Sequence, residues 1–352
     1  MASRRRNSPA KRKQGALKTK IAKTSVDSLL DAMEDGREYA SLVDLVPNNI
    51  NFRDEFRRAI FEVENVRQRP LLVYAANVVT QIPGAQISIS VSDDLPFSEM
   101  VAAVPDDESA IDLLIVTPGG LGQQVSQFVD RTRPRFTECA FLLPHMTMSA
   151  GTIWALSGNE IWMDRRAFIG PIDPQVPSKD GRLLPAQALL ALVEDIKERG
   201  EKNLKLGQNP PWTDVQILRN IDPKELGNAL TLSQYSIQLA ANYLENHKFR
   251  DWATHSNGKA VTPADRRERA IEVATKLCSH DVWKTHSHGI SREVAWQELK
   301  IKIGHPESVP GLERAMRRLW ALIYWAFENT AIAKIFLSQS YSLFRTLPGA
   351  NR

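Results

Sequence analysis

Residues 111–120, which read IDLLIVTPGG, form an apolar run followed by a glycine turn, and this pattern indicates the fold class. The run 111–117 is rich in Ile, Leu and Val, as in a buried strand, and Pro118-Gly119-Gly120 ends it in a tight turn. Similar short runs occur at 71–74, 87–91, 140–143, 160–163 and 168–169. Helix-type stretches lie between some of them, at 96–104, 121–132 and 149–156. Strands that alternate with helices predict an α/β fold with a parallel or mixed sheet.

Helical patterns flank this alternating region on both sides. Apolar residues recur at helical spacing within 26–69, and further helices are predicted at 185–198, 213–221, 233–246, 263–277, 292–299 and 312–344. The last of these is rich in aromatic and aliphatic residues, which favours a packing or oligomer-interface helix. We therefore expect an N-terminal helical extension at 25–69, a central domain at 70–305 and a C-terminal helical extension at 306–352.

The charge is unevenly distributed along the chain. Residues 1–24 hold nine Lys and Arg side chains and no acid, whereas the rest has 36 basic and 41 acidic residues. The mildly acidic body excludes a protein whose whole surface binds nucleic acid. We expect the tail to be disordered. It either attracts an anionic partner, such as nucleic acid or a membrane surface, or has no dedicated partner.

The compartment expected from the sequence is the cytoplasm, with the tail as a possible peripheral tether at a membrane. Two cysteines in 352 residues exclude a disulfide scaffold. No apolar stretch follows the N-terminal charges, so a secretory signal is not expected. The histidines show no zinc-helix spacing, and no phosphate-binding glycine loop is present, so no metal or cofactor is expected.

Three short motifs follow one another within 60 residues. The Gly119-Gly120 pair fits a tight turn, or an oxyanion hole whose backbone donors face developing negative charge. Ser149, in MTMSAGT at 146–152, fits an N-cap or a nucleophile at the start of a helix. Asp173, in IGPIDPQ at 169–175, fits a Pro-rich turn or a site carboxylate. Each motif alone favours the structural interpretation.

Together, and in this order, the motifs resemble the serine dehydrogenase proteinase family. This family belongs to the Clp peptidase/crotonase superfamily and is related to signal peptide peptidase A. The resemblance runs from about Ile111 to Gln175, and a weaker one covers THSHGI at 285–290. It implies a Clp/crotonase-type repeated β-β-α core with added N- and C-terminal helices. It also implies a serine endopeptidase, a hydrolase acting on a peptide or protein substrate, assembled as a homo-oligomer.

The resemblance also implies roles for particular residues. Ser149 is the expected nucleophile, and the oxyanion hole is expected from Gly119, Gly120 and Ala150. Asp173 is expected to orient a histidine base, with His286 as the first choice and His288 as the near alternative.

A lysine base remains open, because signal peptide peptidase relatives use a Ser–Lys dyad. Lys197, Lys202 and Lys205 lie 48 to 56 residues after Ser149. A base of this kind needs burial to lower its pKa, and the acidic residues around Lys197 argue against that. His145, four residues before Ser149, is expected to be structural.

Two other functions also remain open: a crotonase-like acyl-CoA enzyme, or a catalytically inactive scaffold of the same fold. The second is kept open because Asp173 stands where relatives in the Clp branch have a histidine.

Overall fold

The computed structural model describes residues 24–26, 28–43, 45–47, 51–177 and 181–346. The prediction for the basic tail therefore falls almost wholly outside the described residues. The strands are β1 Thr24–Val26, β2 Leu45–Pro47, β3 Leu71–Ala76, β4 Ala110–Val116, β5 Glu138–Leu143, β6 Met146–Thr147, β7 Glu160–Met163, β8 Phe168–Ile169, β9 Gln175–Pro177, β10 Leu183–Pro185, β11 Ile332–Leu337 and β12 Ser342–Thr346.

The described helices alternate with these strands as far as β8 and then dominate the chain. They are α1 Ala40–Val43, α2 Phe52–Arg67, α3 Asp94–Ala102, α4 Gly122–Thr132, α5 Ala150–Leu156, α6 Ala186–Lys205, α7 Trp212–Asn220, α8 Pro223–Tyr243, α9 Pro263–Cys278, α10 His280–Trp283, α11 Arg292–Leu299 and α12 Leu312–Asn329. Within the described ranges, no helix is both long enough and apolar enough to cross a membrane.

A six-stranded sheet in the order β12-β11-β3-β4-β5-β7 forms the centre of the fold. Strands β3, β4, β5 and β7 are parallel, whereas β11 runs antiparallel to β3 and β12 antiparallel to β11. The carboxyl ends of β4 and β5 lie side by side, so the loops that follow them share one edge of the sheet. The predicted α/β class is thus confirmed.

Helices cover both faces of this sheet, which explains why its strands are apolar on both sides. One face packs against α3, α4, α5, α8 and α9, and its core includes Phe128 and Trp154. The other face packs against α2 and α12, and its core includes Phe56 and Leu319. The side chains of β4 alternate between the two cores, with Ile115 in the first and Val116 in the second.

The first predicted helical segment is wrong in part. Among the residues of 26–69 that the structure describes, only those of α1 and α2 are helical, and most residues from 29 to 39 form turns. The reason is tertiary: the buried Glu55 carboxylate accepts the backbone N–H of Leu30 at 2.8 Å and the hydroxyl of Ser28 at 3.1 Å. These bonds replace the intrahelical ones that a helix would supply.

The predicted strand at 87–91 is also wrong. Only Ile89 makes a β-bridge there, with Gly120, and Val91–Asp93 form a 3-10 turn. The Asp93 carboxylate accepts the N–H of Ser90 at 3.0 Å, which bends the chain away from the sheet after a single bridge.

The predicted helix at 312–344 is correct only as far as Asn329. The chain then reverses and forms β11 and β12, and β11 pairs with β3 inside the central sheet. Periodicity alone does not distinguish a buried strand from a buried helix when the apolar run is continuous. The β-branched residues Ile332 and Ile335 favour the strand. The segment 306–352 is therefore not simply a helical extension.

Candidate active site

The Gly119–Gly120 turn at the end of β4 adopts a backbone that side chains disfavour. Gly119 has φ +99° and Gly120 has φ +145°. A Cβ on Gly119 would lie 2.7 Å from the Cβ of Ser149, and one on Gly120 would lie 2.3 Å from the carbonyl oxygen of Ile89. Both positions therefore need glycine, because of the close approach as well as the positive φ.

Ile89 fixes this turn through its backbone. Its N–H donates to the Gly119 carbonyl at 2.7 Å, and its carbonyl accepts the N–H of Leu121 at 3.0 Å. The Gly120 N–H lies between these two bonds and has no acceptor among the described residues. The Gly119 N–H is occupied, since it donates to the Thr117 hydroxyl at 3.1 Å. Of the two glycines, Gly120 is the one whose donor is free.

Ser149 stands at the N-terminal end of α5 in a strained backbone conformation, with φ +52° and ψ −119°. Its side chain makes no capping hydrogen bond, so the N-cap interpretation does not explain the residue. Such strain in a non-glycine residue is frequent where a functional side chain must be held in an unusual direction. The side chain is half-buried.

The N–H of Ala150 lies beside this serine. A Cβ on Gly119 would be 3.3 Å from the Ala150 nitrogen, so the glycine turn and the start of α5 are in direct contact. Like the Gly120 N–H, the Ala150 N–H has no acceptor in the described part of the chain. The two backbone donors without an acceptor among the described residues, those of Gly120 and Ala150, therefore belong to the two segments that meet at Ser149.

Asp173 and His286 lie in contact although 113 residues separate them. The Nδ1 atom of His286 is 2.9 Å from Oδ1 of Asp173. Asp173 is buried, and its second oxygen, Oδ2, is buried without a partner among the described residues. His286 keeps 18% of its side chain exposed, so solvent reaches part of this pair.

Backbone bonds hold the two segments together on both sides of the pair. Ile172 donates its N–H to the Leu277 carbonyl at 3.0 Å, just before Asp173. Ile169 and Ile290 exchange bonds of 3.0 and 2.8 Å, so His286 lies in a loop anchored at both ends.

Thr152 joins the loop that carries Asp173 to the loop that carries Ser149. Its Oγ1 accepts the Gly170 N–H at 3.0 Å and lies 2.9 Å from the Gly170 carbonyl oxygen. A Cβ on Gly170 would be 3.4 Å from the Cα of Met148, the residue before Ser149. The Asp173 loop thus lies against the Ser149 loop. No hydrogen bond between Ser149 and His286 occurs among the described residues.

The alternative bases are placed differently. His288 packs its ring against Trp283 at 5.4 Å between centroids and makes no described bond to Asp173. Lys197 is exposed on α6 and donates to Glu194 at 2.8 Å, and this hydrogen bond raises its pKa. Lys202 and Lys205 are also exposed on α6. None of the three lysines has the burial that a base of this type requires.

His145 packs away from Ser149 on the α12 side of the sheet. Its ring meets Trp320 edge-on at 5.3 Å between centroids, and burial lowers its pKa. The expectation of a structural residue fits this packing. In the ranges that the structure describes, no group of three or more His, Cys, Asp or Glu side chains could hold a metal ion.

Sequence reasoning missed the backbone partners that set this geometry. Ile89, Leu277 and Ile290 act through main-chain atoms, which a search for chemically reactive side chains does not detect. Thr152 gave a weak signal, because a buried Thr in an otherwise apolar helix needs a hydrogen-bond partner.

Part of the chain is similar to a known family of proteinases. Residues 82–205 match the family model described as ClpP-like SDH-type serine proteinase. This part of the chain is similar to that family, so the predicted resemblance is confirmed. The matched region contains Gly119, Gly120, Ser149 and Asp173 and ends before His286.

Two curated relatives are uncharacterized proteins of Methanocaldococcus jannaschii. The chain is 33% identical to MJ1495 over 195 residues, which covers 54% of this chain and 60% of that protein. It is 35% identical to MJ0137 over 106 residues, which covers 30% of this chain and 35% of that protein. The chain therefore spans about three fifths of MJ1495 and about a third of MJ0137.

Two solved structures of the 1510-N membrane-bound stomatin-specific protease are also similar. One is a serine-to-alanine mutant at 15% identity, covering 62% of this chain and 74% of that chain. The other is a lysine-to-alanine mutant in complex with a substrate peptide, at 16% identity, covering 62% and 73%. The TM-score is 0.36 for each.

Proposed function

We propose that this chain is a serine endopeptidase that cleaves peptide bonds through an acyl-enzyme on Ser149. The Asp173–His286 hydrogen bond of 2.9 Å is the observation that carries the proposal. A carboxylate that accepts the Nδ1–H of an imidazole leaves Nε2 unprotonated and free to act as a base. The family match supports a serine proteinase in general, and these residues supply the specific mechanism.

In the proposed reaction, Nε2 of His286 takes the proton of the Ser149 hydroxyl as the oxygen attacks the peptide carbonyl. The N–H groups of Gly120 and Ala150 bind the oxyanion that forms. The imidazolium then gives its proton to the leaving amine, and the C–N bond breaks to leave an ester on Ser149. Water, deprotonated by the same imidazole, hydrolyses the ester and restores the serine.

The missing bond between Ser149 and His286 is compatible with this mechanism. In unliganded enzymes such bonds are often long, and they tighten when substrate binds. His286 lies in a loop whose backbone is bonded at Leu277 and Ile290, and the mechanism requires its ring to approach Ser149 when substrate binds. A lysine base would first have to leave solvent, since α6 presents Lys197 to it.

We also propose that copies of the chain associate. Several large apolar side chains of the α6–α7 region are exposed, among them Leu204, Leu206 and Trp212, which is 76% exposed. Light scattering on wild type and Trp212→Ser tests association. A monomeric wild type would contradict it. The roles of the basic tail as an anionic tether and of the cytoplasm as the compartment stay predictions.

Fluorophosphonate labelling followed by mass spectrometry of the adduct tests the catalytic proposal. Wild type is expected to carry the adduct on Ser149, and Ser149→Ala to carry none. Ser340→Ala is the matched control, because Ser340 is an exposed serine that only donates to the Ala103 carbonyl. A wild type that stays unlabelled while a control hydrolase reacts would reject the peptidase. Acyl-CoA binding by calorimetry would then favour the crotonase-like enzyme over the inactive scaffold.

A further inference from the structure

A buried ion pair contacts the segment that carries Ile89, the residue that bonds to the glycine turn. Asp93 and Lys334 both have 0% exposure. The Nζ atom of Lys334 lies 2.7 Å from Oδ2 and 2.9 Å from Oδ1 of Asp93. Burial lowers the pKa of Lys334, which reflects the cost of removing its charge from water. Such a pair gives little net stability, so its presence calls for another explanation.

Both members of the pair also hold the backbone that carries Ile89. Lys334 donates to the Ser88 carbonyl at 2.7 Å, and Asp93 accepts the Ser90 N–H at 3.0 Å. These contacts fix the residues immediately before and after Ile89. Ile89 in turn fixes the Gly119–Gly120 turn through the two backbone bonds described above.

Two further side chains complete the surroundings of the Asp93 carboxylate. Tyr74 of β3 donates its hydroxyl to Oδ2 at 3.1 Å, and Arg345 of β12 donates to Oδ1 at 2.7 Å. Arg345 also donates to the Ser92 carbonyl at 2.7 Å. The carboxylate is thus held from β3, β11 and β12, which gives the 88–93 segment a single position relative to the sheet.

We infer that Lys334 and Asp93 are positioning residues for the oxyanion hole, acting through Ile89 on the Gly120 N–H. This inference rests on the proposed function for its catalytic consequence, but not for its structural one. Neither residue touches the reacting atoms. Their effect is on the direction of one donor, and a small displacement of such a donor lowers kcat more than it changes KM.

The test uses the full chain with the paired substitutions Asp93→Asn and Lys334→Met, which remove both charges together. The matched control is Asp112→Asn with Arg67→Met. Asp112 is also fully buried and paired, with Arg67 Nε at 2.7 Å, but it lies near the start of β4. Each double variant loses a buried ion pair that has one member in the central sheet, and only the first pair contacts the residues beside Ile89.

Amide hydrogen exchange is the first readout and needs no activity. In the Asp93/Lys334 variant we expect the Leu121 amide and the amide of Ile89 to exchange at least ten times faster than in wild type. In the control they should keep their protection. Equal exchange in the two double variants would overturn the inference, whether or not the protein is a peptidase.

Kinetics is the second readout and is used if wild type labels at Ser149. We expect kcat for a peptide substrate to fall at least ten-fold in the Asp93/Lys334 variant, with KM changed less than three-fold. The control should keep both values near those of wild type. If kcat and KM change by the same factors in the Asp93/Lys334 variant and in the control, the pair has a merely structural role and the inference is overturned.

Arg345→Ala replaces the double variant in the exchange experiment if the double variant does not fold. Arg345 is partly exposed, and its removal leaves the buried pair intact. Loss of its bonds to Asp93 and Ser92 should speed exchange of the same two amides about two- to five-fold. Unchanged exchange there would contradict the inference.

Discussion

Gly119→Ala places a methyl group against the proposed nucleophile. The new carbon would lie 2.7 Å from the Ser149 Cβ, whereas ordinary contact begins at 3.4 Å, so the two must separate by about 0.7 Å. The other close atom is the Met148 carbonyl oxygen at 2.8 Å, part of the backbone, which cannot rotate away. The site itself must therefore move.

Gly84→Ala is the matched control. Gly84 also has a positive φ, +78°, but a Cβ there meets nothing within 4 Å. The control should lose about 1–2 kcal/mol of unfolding free energy from backbone strain alone. Gly119→Ala should lose this and a further ~1–3 kcal/mol from overpacking. Urea unfolding of both variants gives the difference.

Gly119→Ala should slow the labelling of Ser149 more than its loss of unfolding free energy alone would suggest. A displacement approaching 1 Å between a nucleophile and its partners can cost about 100-fold in rate, or about 2.7 kcal/mol. We expect Gly119→Ala to react with a fluorophosphonate at least ~100 times more slowly than Gly84→Ala. Rates within three-fold of each other, with both proteins folded, would refute the placement of the turn beside the reacting serine.

Further substitutions test the backbone strain at Ser149, the Asp173–His286 pair and the loss of stability in acid at His247. Ser149→Gly should be more stable than Ser149→Ala by about 1 kcal/mol in urea, because glycine relieves the positive φ; equal midpoints would argue against stored strain. Asp173→Asn should slow labelling by ~10²–10⁴-fold, and adding His286→Ala should slow it little more, since the pair acts as a unit. Additive losses of labelling rate in the double variant would contradict the view that the two residues act as a unit. Burial, with nearby arginines, lowers the pKa of His247 to about 4 from 6.5. Its contribution to stability is present above pH 6.5 and lost as pH falls towards 4, because the unfolded chain binds the proton first. His247→Phe should reduce acid destabilisation by about 2 kcal/mol in thermal melts at pH 7 and 4.5, allowing for partial exposure; identical acid sensitivity would refute this.

The sequence was sufficient to predict the parallel strands and the order of the site motifs. Strand β4 is a compact apolar run that ends in two glycines, so its nature and its end follow from local chemistry. The pairing of Asp173 with His286 came from family resemblance, since nothing local links residues 113 positions apart. Geometry was needed to separate His286 from His288.

The C-terminal strands could not be predicted by the same reasoning. The run Ile332–Leu337 is short and apolar and follows a long amphipathic helix, so periodicity extends the helix through it. Lys334 was the available signal. A lysine inside an apolar run is either at the surface or paired, and the identity of its partner, Asp93, depends on tertiary structure.

The place of β11 in the chain also bears on when the site is complete during synthesis. Ribosomes release a chain from its N-terminus at about 5–20 residues per second, and β11 emerges after every described strand of the central sheet except β12. Until then β3 is an open edge, and the segment around Ile89 lacks Lys334. A nascent chain thus carries Ser149 for many seconds before Lys334 is available to hold the segment beside its glycine turn, so activity of the proposed site is expected only after β11 has joined the sheet.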